Sequence, residues 1–454
     1  MHMARRSLIF TVFLLLIGVT GGVHATDTRQ PTHEFTLDNG LKVIVREDHR
    51  APVVVSQLWY RVGSSYEPPG RTGLSHALEH MMFKGSERLA PGQASRLLSS
   101  LGAQENAFTS RDYTAYYQVL SRDQLAIALE LEAERMHNLT LPEDEFLREM
   151  EVIKEERRLR VDDNPSSLAY ERFLSQAYMA SPYAQPVIGW MHDLNRLTVE
   201  DMREWYNRYY QPSNAILVIV GDVTLDEVRD LAGRYFVPLS NKPAPSARAP
   251  LELPGGAERH LTLTLPVQMP TLLMGFNVPS LPTVDQAWEV HALRLLAAVL
   301  DGGYSARLAS HLERGDAVAT SASANYDGFT RGDSLFLLSG IPNQSRDISL
   351  TQLEQALWAQ IEQIQQTPPS AEELNRVQAQ MTADLVYAQD SISHQANQIG
   401  MLESIGLPWS LLDEDIAALQ SITPEQISEV ARRYLVAERL TRAHILPIVT
   451  EETL

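Results

Sequence analysis

The chain repeats itself, and the repeat limits what it can fold into. SRLLSSL at 95–101 returns as ARLASHL at 306–312, an offset of 211 residues, and Thr109-Ser110 returns at the same offset as Thr320-Ser321. The identity is thin, yet elements recur in one order, which points to two copies of a single architecture. Strand signals fall at GLKVIV, VVVSQLWYRV, AYYQVL and NAILVIVGDV in the first copy, and at HLTLTL, PTLLMGF and DSLFLLSG in the second. Each copy also holds an apolar helix, the repeated helix, then long helices and a closing strand. This pattern predicts an α+β fold made of two homologous α/β-sandwich halves, each a mixed sheet with helices packed on it. The proline-rich stretch PLSNKPAPSARAPLELPGG marks an extended linker at 238–257 between halves at 26–237 and 258–454.

Only the first half carries chemistry that stands out. In GLSHALEHMMFKGS, His76, Glu79 and His80 form H-x-x-E-H, the reverse of the commoner H-E-x-x-H order. Gly73 and Ser75 can start a helix there, with Leu74, Ala77, Leu78, Met81, Met82 and Phe83 as packing positions and Lys84-Gly85 as its close. On such a helix His76 and His80 lie one turn apart on one face, where two imidazoles can share a zinc ion. Glu79 stands beside that face and can act as base toward water at the metal without being a ligand. At the 211-residue offset these three positions become Ala287, Val290 and His291, so the second half lacks a matching metal motif and His291 is expected to be structural.

Zinc with two histidines needs a third protein ligand and an open position. LPEDEFLREMEVIKEERRLRVDD reads as a helix with Pro142 in its first turn, and Glu149 and Glu156, seven residues apart, lie near one face of it. Spacing leaves both open as ligands.

The chain resembles the pitrilysin (insulinase) family of zinc peptidases, which includes the mitochondrial processing peptidase and its bacterial relatives. The likeness runs through LDNGLKVIV, the H-x-x-E-H motif, ENAFTSRDYTAYY, PVIGW, YYQPSNAILVIVGDV and GGYSARL. It implies that Glu156, 76 residues beyond His80, is the third zinc ligand and that Glu149 is a supporting residue of the catalytic centre. It also implies a metalloendopeptidase in which Asn106 and Ala107 lie on a strand that pairs with peptide substrate, with Phe108 bordering a side-chain pocket. Two such halves would form one half of a clamshell, closed by a second shell around short or unfolded peptides. The family commonly carries an arginine in its second half and a tyrosine six residues on, both reaching toward substrate. Arg314 fits the first position, but Thr320 stands at the second. That departure implies a heterodimer with a homologue that has the Arg/Tyr pair and lacks H-x-x-E-H, with a homodimer as the fallback. It also keeps alive a non-catalytic peptide-binding or assembly subunit.

Composition narrows the alternatives. With no cysteine, the chain has neither a disulfide framework nor a thiol nucleophile. A formal charge of −19 argues against nucleic acid as a partner. Residues 1–25 read as a secretory signal: Arg5 and Arg6, an apolar stretch from Leu8 to Val19, then Val23-His24-Ala25 as a small-residue cleavage site. A periplasmic or otherwise exported protein is expected, with no stable membrane span after signal removal.

Overall fold

The computed structural model describes residues 31–243, 248–253 and 255–448, so the signal segment at 1–25 lies outside the described residues. The first half is built on β1 (Thr32–Thr36), β2 (Lys42–Glu47), β3 (Val53–Tyr60), β4 (Gln104–Thr109), β5 (Thr114–Ser121) and β6 (Ala215–Gly221). The second uses β7 (Arg259–Leu265), β8 (Thr271–Val278), β9 (Ala319–Tyr326), β10 (Ser334–Pro342) and β11 (Leu440–Pro447). Their orders are β1-β2-β6-β3-β5-β4 and β7-β11-β8-β10-β9. Only β2/β6 and β7/β11 pair in parallel. Without β1 the two sheets are the same sheet, and β4 and β9 are equivalent free edges.

Strand periodicity divides the core of the first half. In β3, Val54, Leu58 and Tyr60 enter the main cluster, whereas Val55 and Trp59 point to the opposite face. β6 is buried along its whole length because both faces are covered.

What covers the second face comes from the other half. The helix Ile392–Ser404 lies across β3 and β6, with Ala396 and Ile399 packed among Val55, Trp59, Ile216 and Val218. In return, the helix Pro165–Ala177 lies across β7, β8 and β11, with Phe173 and Ala177 against Leu273, Leu335 and Ala443. Both contacts seat an aromatic ring on a glycine. A Cβ at Gly400 would meet Trp59 Cε2 at 2.1 Å, and one at Gly275 would meet Phe173 Cζ at 2.7 Å. Full burial of such a ring stabilises by about 1.5–3 kcal/mol. Polar links cross the same interface: Lys42 Nζ to Glu403 Oε2 at 2.9 Å, and buried Asp112 to the buried Arg331 guanidinium at 3.2 Å.

Two local expectations shift. Pro142 caps the helix Glu143–Arg157 from outside its first turn, because its extended backbone (ψ 136°) precedes the first helical residue. SRLLSSL contributes to an ordinary α-helix at Gln93–Ser100, but ARLASHL enters a wider π-type segment at Leu308–Gly315.

Candidate metal centre

The motif helix, Leu74–Met81, is held at its start by a carboxylate distant from the motif. Buried Glu67 accepts from Gly73 N at 2.7 Å and from Ser75 N at 2.6 Å, satisfying donors that a helix N-terminus leaves open. Burial pushes the Glu67 carboxyl up to about 8, against these donors, which pull it down. Gly73 has φ 91°, and a Cβ there would meet Ile188 O at 2.9 Å, so only glycine lets PVIGW close over the helix.

From this helix His76 and His80 project toward Glu156 on Glu143–Arg157. One ligand atom from each lies within 4.8 Å of the others, the one such group among the described residues. Glu156 Oε2 is 3.7 Å from His76 Nε2 and 3.4 Å from His80 Nε2. A tetrahedral zinc with bonds of about 2.0–2.1 Å sets ligand atoms about 3.3–3.4 Å apart, so donors and spacing fit the ion. The other Glu156 oxygen, Oε1, pairs with Arg160 at 2.8 Å. Burial, with the charges of His80 and Arg160, pushes His76 down to about 3, leaving the neutral imidazole that a metal requires.

Glu149 lies outside the triad. Its Oε1 sits 2.9 Å from His80 Nδ1, and its Oε2 takes Lys84 Nζ at 2.6 Å. Burial pushes this carboxyl up, but His80 and Lys84 outweigh it and hold it below the usual range. His76 Nδ1 is buried and has no such partner among the described residues.

Glu79 accepts a hydrogen bond from Thr109 Oγ1 at the end of β4. Burial raises its pKa, opposed by Thr109 and His80, the direction that makes a carboxylate a stronger base. Beside it opens a cavity of about 840 Å³ that brings together His76, Glu79, His80, Glu156, Asn106, Ala107 and Phe108. β4 is the sheet's edge, and Ala107 N donates to Asn106 Oδ1 at 2.9 Å. Phe108 packs edge-on to Trp59, with ring centres 5.3 Å apart.

Arg314 does not line this cavity. Its guanidinium carbon lies 3.7 Å from the centre of the exposed Tyr304 ring, and Nη2 donates to Tyr304 O at 2.5 Å. Thr320 Oγ1 donates to Pro342 O at 3.3 Å. His291 packs against Arg294 and Asp415, in no metal-binding group among the described residues.

Glu67, Lys84, Thr109 and Arg160 also shape this site, although they lie outside the residues the motifs mark. Lys84 had a signal available, since it follows His80 by one turn and so faces the same partner helix. Glu67 had none, because a cap six residues upstream has no fixed spacing.

Comparison with known proteins bears on this centre. Residues 42–190 match the sequence model described as Insulinase (Peptidase family M16), and residues 196–381 match that of the Peptidase M16 inactive domain. The zinc protease PqqE of Helicobacter pylori is 33% identical over 403 residues, covering 87% of this chain and 88% of that protein. This chain belongs to the insulinase family, M16. The crystal structure of a protease from Helicobacter pylori superposes on this M16 chain with a TM-score of 0.85 at 29% identity, over 92% of this chain and 100% of that one. Another M16 relative, the mitochondrial cytochrome b-c1 complex subunit 1 of Rattus norvegicus, is 29% identical over 256 residues, or 56% of this chain and 53% of its own length. Among the described residues no helix is long and apolar enough to cross a membrane.

Proposed function

We propose that the chain is a zinc-dependent endopeptidase that hydrolyses short or unfolded peptides, with His76, His80 and Glu156 as ligands and Glu79 as general base. The observation that carries this reading is the convergence of two imidazole nitrogens and a carboxylate oxygen in a cavity bordered by a free strand edge. Zinc bound there supplies Lewis-acid polarisation of water and of the scissile carbonyl.

The chain's own groups do the rest. The edge of β4, the strand on which Asn106 and Ala107 lie, takes an extended peptide as an added strand through main-chain bonds, with Phe108 bordering a side-chain position. Glu79, aimed by Thr109, removes a proton from the attacking water and returns it to the leaving amine. Glu149 fixes His80 in the tautomer that leaves Nε2 free as a ligand.

Arg314 turned onto Tyr304, with Thr320 where the family commonly has tyrosine, supports a partner subunit. The partner would be a homologue that carries the Arg/Tyr pair and lacks H-x-x-E-H, and a homodimer is the second choice. An oxyanion donor contributes on the order of 3 kcal/mol, so a chain lacking one is slow by itself. The same observation favours the alternative reading, a non-catalytic peptide-binding or assembly subunit. We place the protein in the periplasm or otherwise outside the cytoplasm, after removal of residues 1–25. Zinc content and cleavage of a quenched peptide library by residues 26–454, alone and with such a homologue, test the reading. Stoichiometric zinc with cleavage supports it, and zinc without cleavage in either sample leaves the binding subunit.

A further inference from the structure

The cavity beside Glu79 also contains a cation, Arg111, that has no counter-ion among the described residues. Arg111 stands in the turn between β4 and β5 and lines the same cavity as the metal-ligand group. The turn is pinned: Arg111 O accepts from Ser65 N at 2.8 Å, and Ser110 O accepts from Ser64 N at 3.2 Å. The next residue, Asp112, is buried among Ser65, Tyr183 and Arg331. The Arg111 guanidinium carbon lies 5.5 Å from the centre of the Tyr183 ring, a seat suited to a planar cation. Among the described residues its side chain makes no hydrogen bond or ion pair, and its Nε is buried.

The acids nearby are already committed. Asp112 serves Arg331, and Glu171 is held by both terminal nitrogens of Arg157 at 2.9 Å. Glu156 Oε1 pairs with Arg160 at 2.8 Å, and Glu252 accepts from the main chain of Ala180 and Ser181. Gln185 Oε1, on the same cavity wall, is also buried without a partner, but a neutral amide cannot balance a guanidinium. Of this half-buried guanidinium, Nε is buried without a partner, and an acceptor brought by a ligand would satisfy it.

We infer that Arg111 binds a carboxylate of the substrate, so that the peptides this cleft prefers carry one close to the scissile bond. The inference rests on the peptidase reading above and specifies its substrate class. A guanidinium offers a carboxylate two parallel donors, which fixes position as well as charge. Thr109, which aims Glu79, is two residues before Arg111. With about 3.3 Å per residue along a paired strand, the carboxylate falls within about two to four residues of the cleaved bond. It comes either from an acidic side chain or from the peptide's own C-terminus.

Two peptide series separate these sources: glutamate against glutamine at each position flanking the cleaved bond, and free C-terminal acid against amide. They are assayed with residues 26–454, plus the partner where activity requires it. In the wild type, one carboxylate form should exceed its neutral twin in kcat/KM by on the order of tenfold. In Arg111→Met the ratio should fall to near one, and Arg111→Lys should restore part of it. Binding of the same peptides to Glu79→Gln, read by fluorescence anisotropy, gives the preference without turnover. Cleavage with equal ratios in the wild type, or a ratio that survives Arg111→Met, overturns the role of Arg111 and leaves the peptidase standing. An Arg111-dependent preference in binding with no cleavage keeps the role and removes the peptidase. No binding and no cleavage of any peptide overturns both.

Discussion

His80 and Glu149 meet through the imidazole nitrogen that does not face Glu156: Nδ1 lies 2.9 Å from Glu149 Oε1, while Nε2 lies 3.4 Å from Glu156 Oε2. The carboxylate accepts a hydrogen bond from Nδ1–H and so sets which nitrogen is free for a metal. Glu149→Ala is expected to weaken zinc binding by about 10–100-fold, because carboxylates that orient a ligating histidine have effects of that size. Competition against a chromophoric chelator measures this. An unchanged dissociation constant would deny Glu149 its orienting role.

Glu79 is bonded to Thr109 rather than to the ligand cluster. Glu79→Gln is therefore expected to retain stoichiometric zinc and to lose about 10²–10⁴-fold or more in turnover. Metal analysis and peptide hydrolysis on one preparation check both halves. Loss of zinc along with activity would make Glu79 part of the metal's hold.

Gly400 leaves room for Trp59, and nothing smaller is available. Gly400→Ala should destabilise the protein by about 1–3 kcal/mol, the usual cost of overpacking a well-filled contact. Urea unfolding followed by tryptophan fluorescence reads the midpoint. A midpoint equal to wild type would mean that the helix Ile392–Ser404 can shift off the sheet without cost.

Glu67 gives a pH signature. Its folded pKa, about 8, stands above the value of about 4.3 for an unfolded chain. The folded state therefore holds this proton more tightly, and the associated stability is complete below about pH 4 and lost as pH rises toward 8. Glu67→Gln cannot ionise, so its stability deficit relative to wild type should narrow between pH 5 and pH 9. Thermal unfolding across that range tests it, and a constant or widening gap would contradict the buried neutral carboxyl.

The parts of the site legible in the sequence were those fixed by short spacing. His76, Glu79 and His80 share one helical turn, whereas spacing left Glu149 and Glu156 both open and only the family resemblance favoured Glu156. The duplicated sheets were legible because strand periodicity recurs in both copies. The exchange of helices was not, because an amphipathic pattern in Pro165–Ala177 or Ile392–Ser404 says that a face is buried but not against which sheet. The free state of Arg111 was hidden for a related reason. It depends on where Asp112, Glu171 and Glu156 spend their charge, and those partners lie up to 219 residues away.

The crossed helices also govern how the chain can be made. Val55, Trp59, Val218 and Val220 lie in the first 221 residues, but the helix that covers them spans Ile392–Ser404. During synthesis at about 5–20 residues per second, that apolar face waits on the order of ten seconds or more for its cover. Contacts so distant in sequence make for slow, cooperative folding, and the exposed face invites association with other chains in the interval. A first half produced alone would keep that face permanently open, so the half that carries H-x-x-E-H depends for its solubility on the half that has no metal motif.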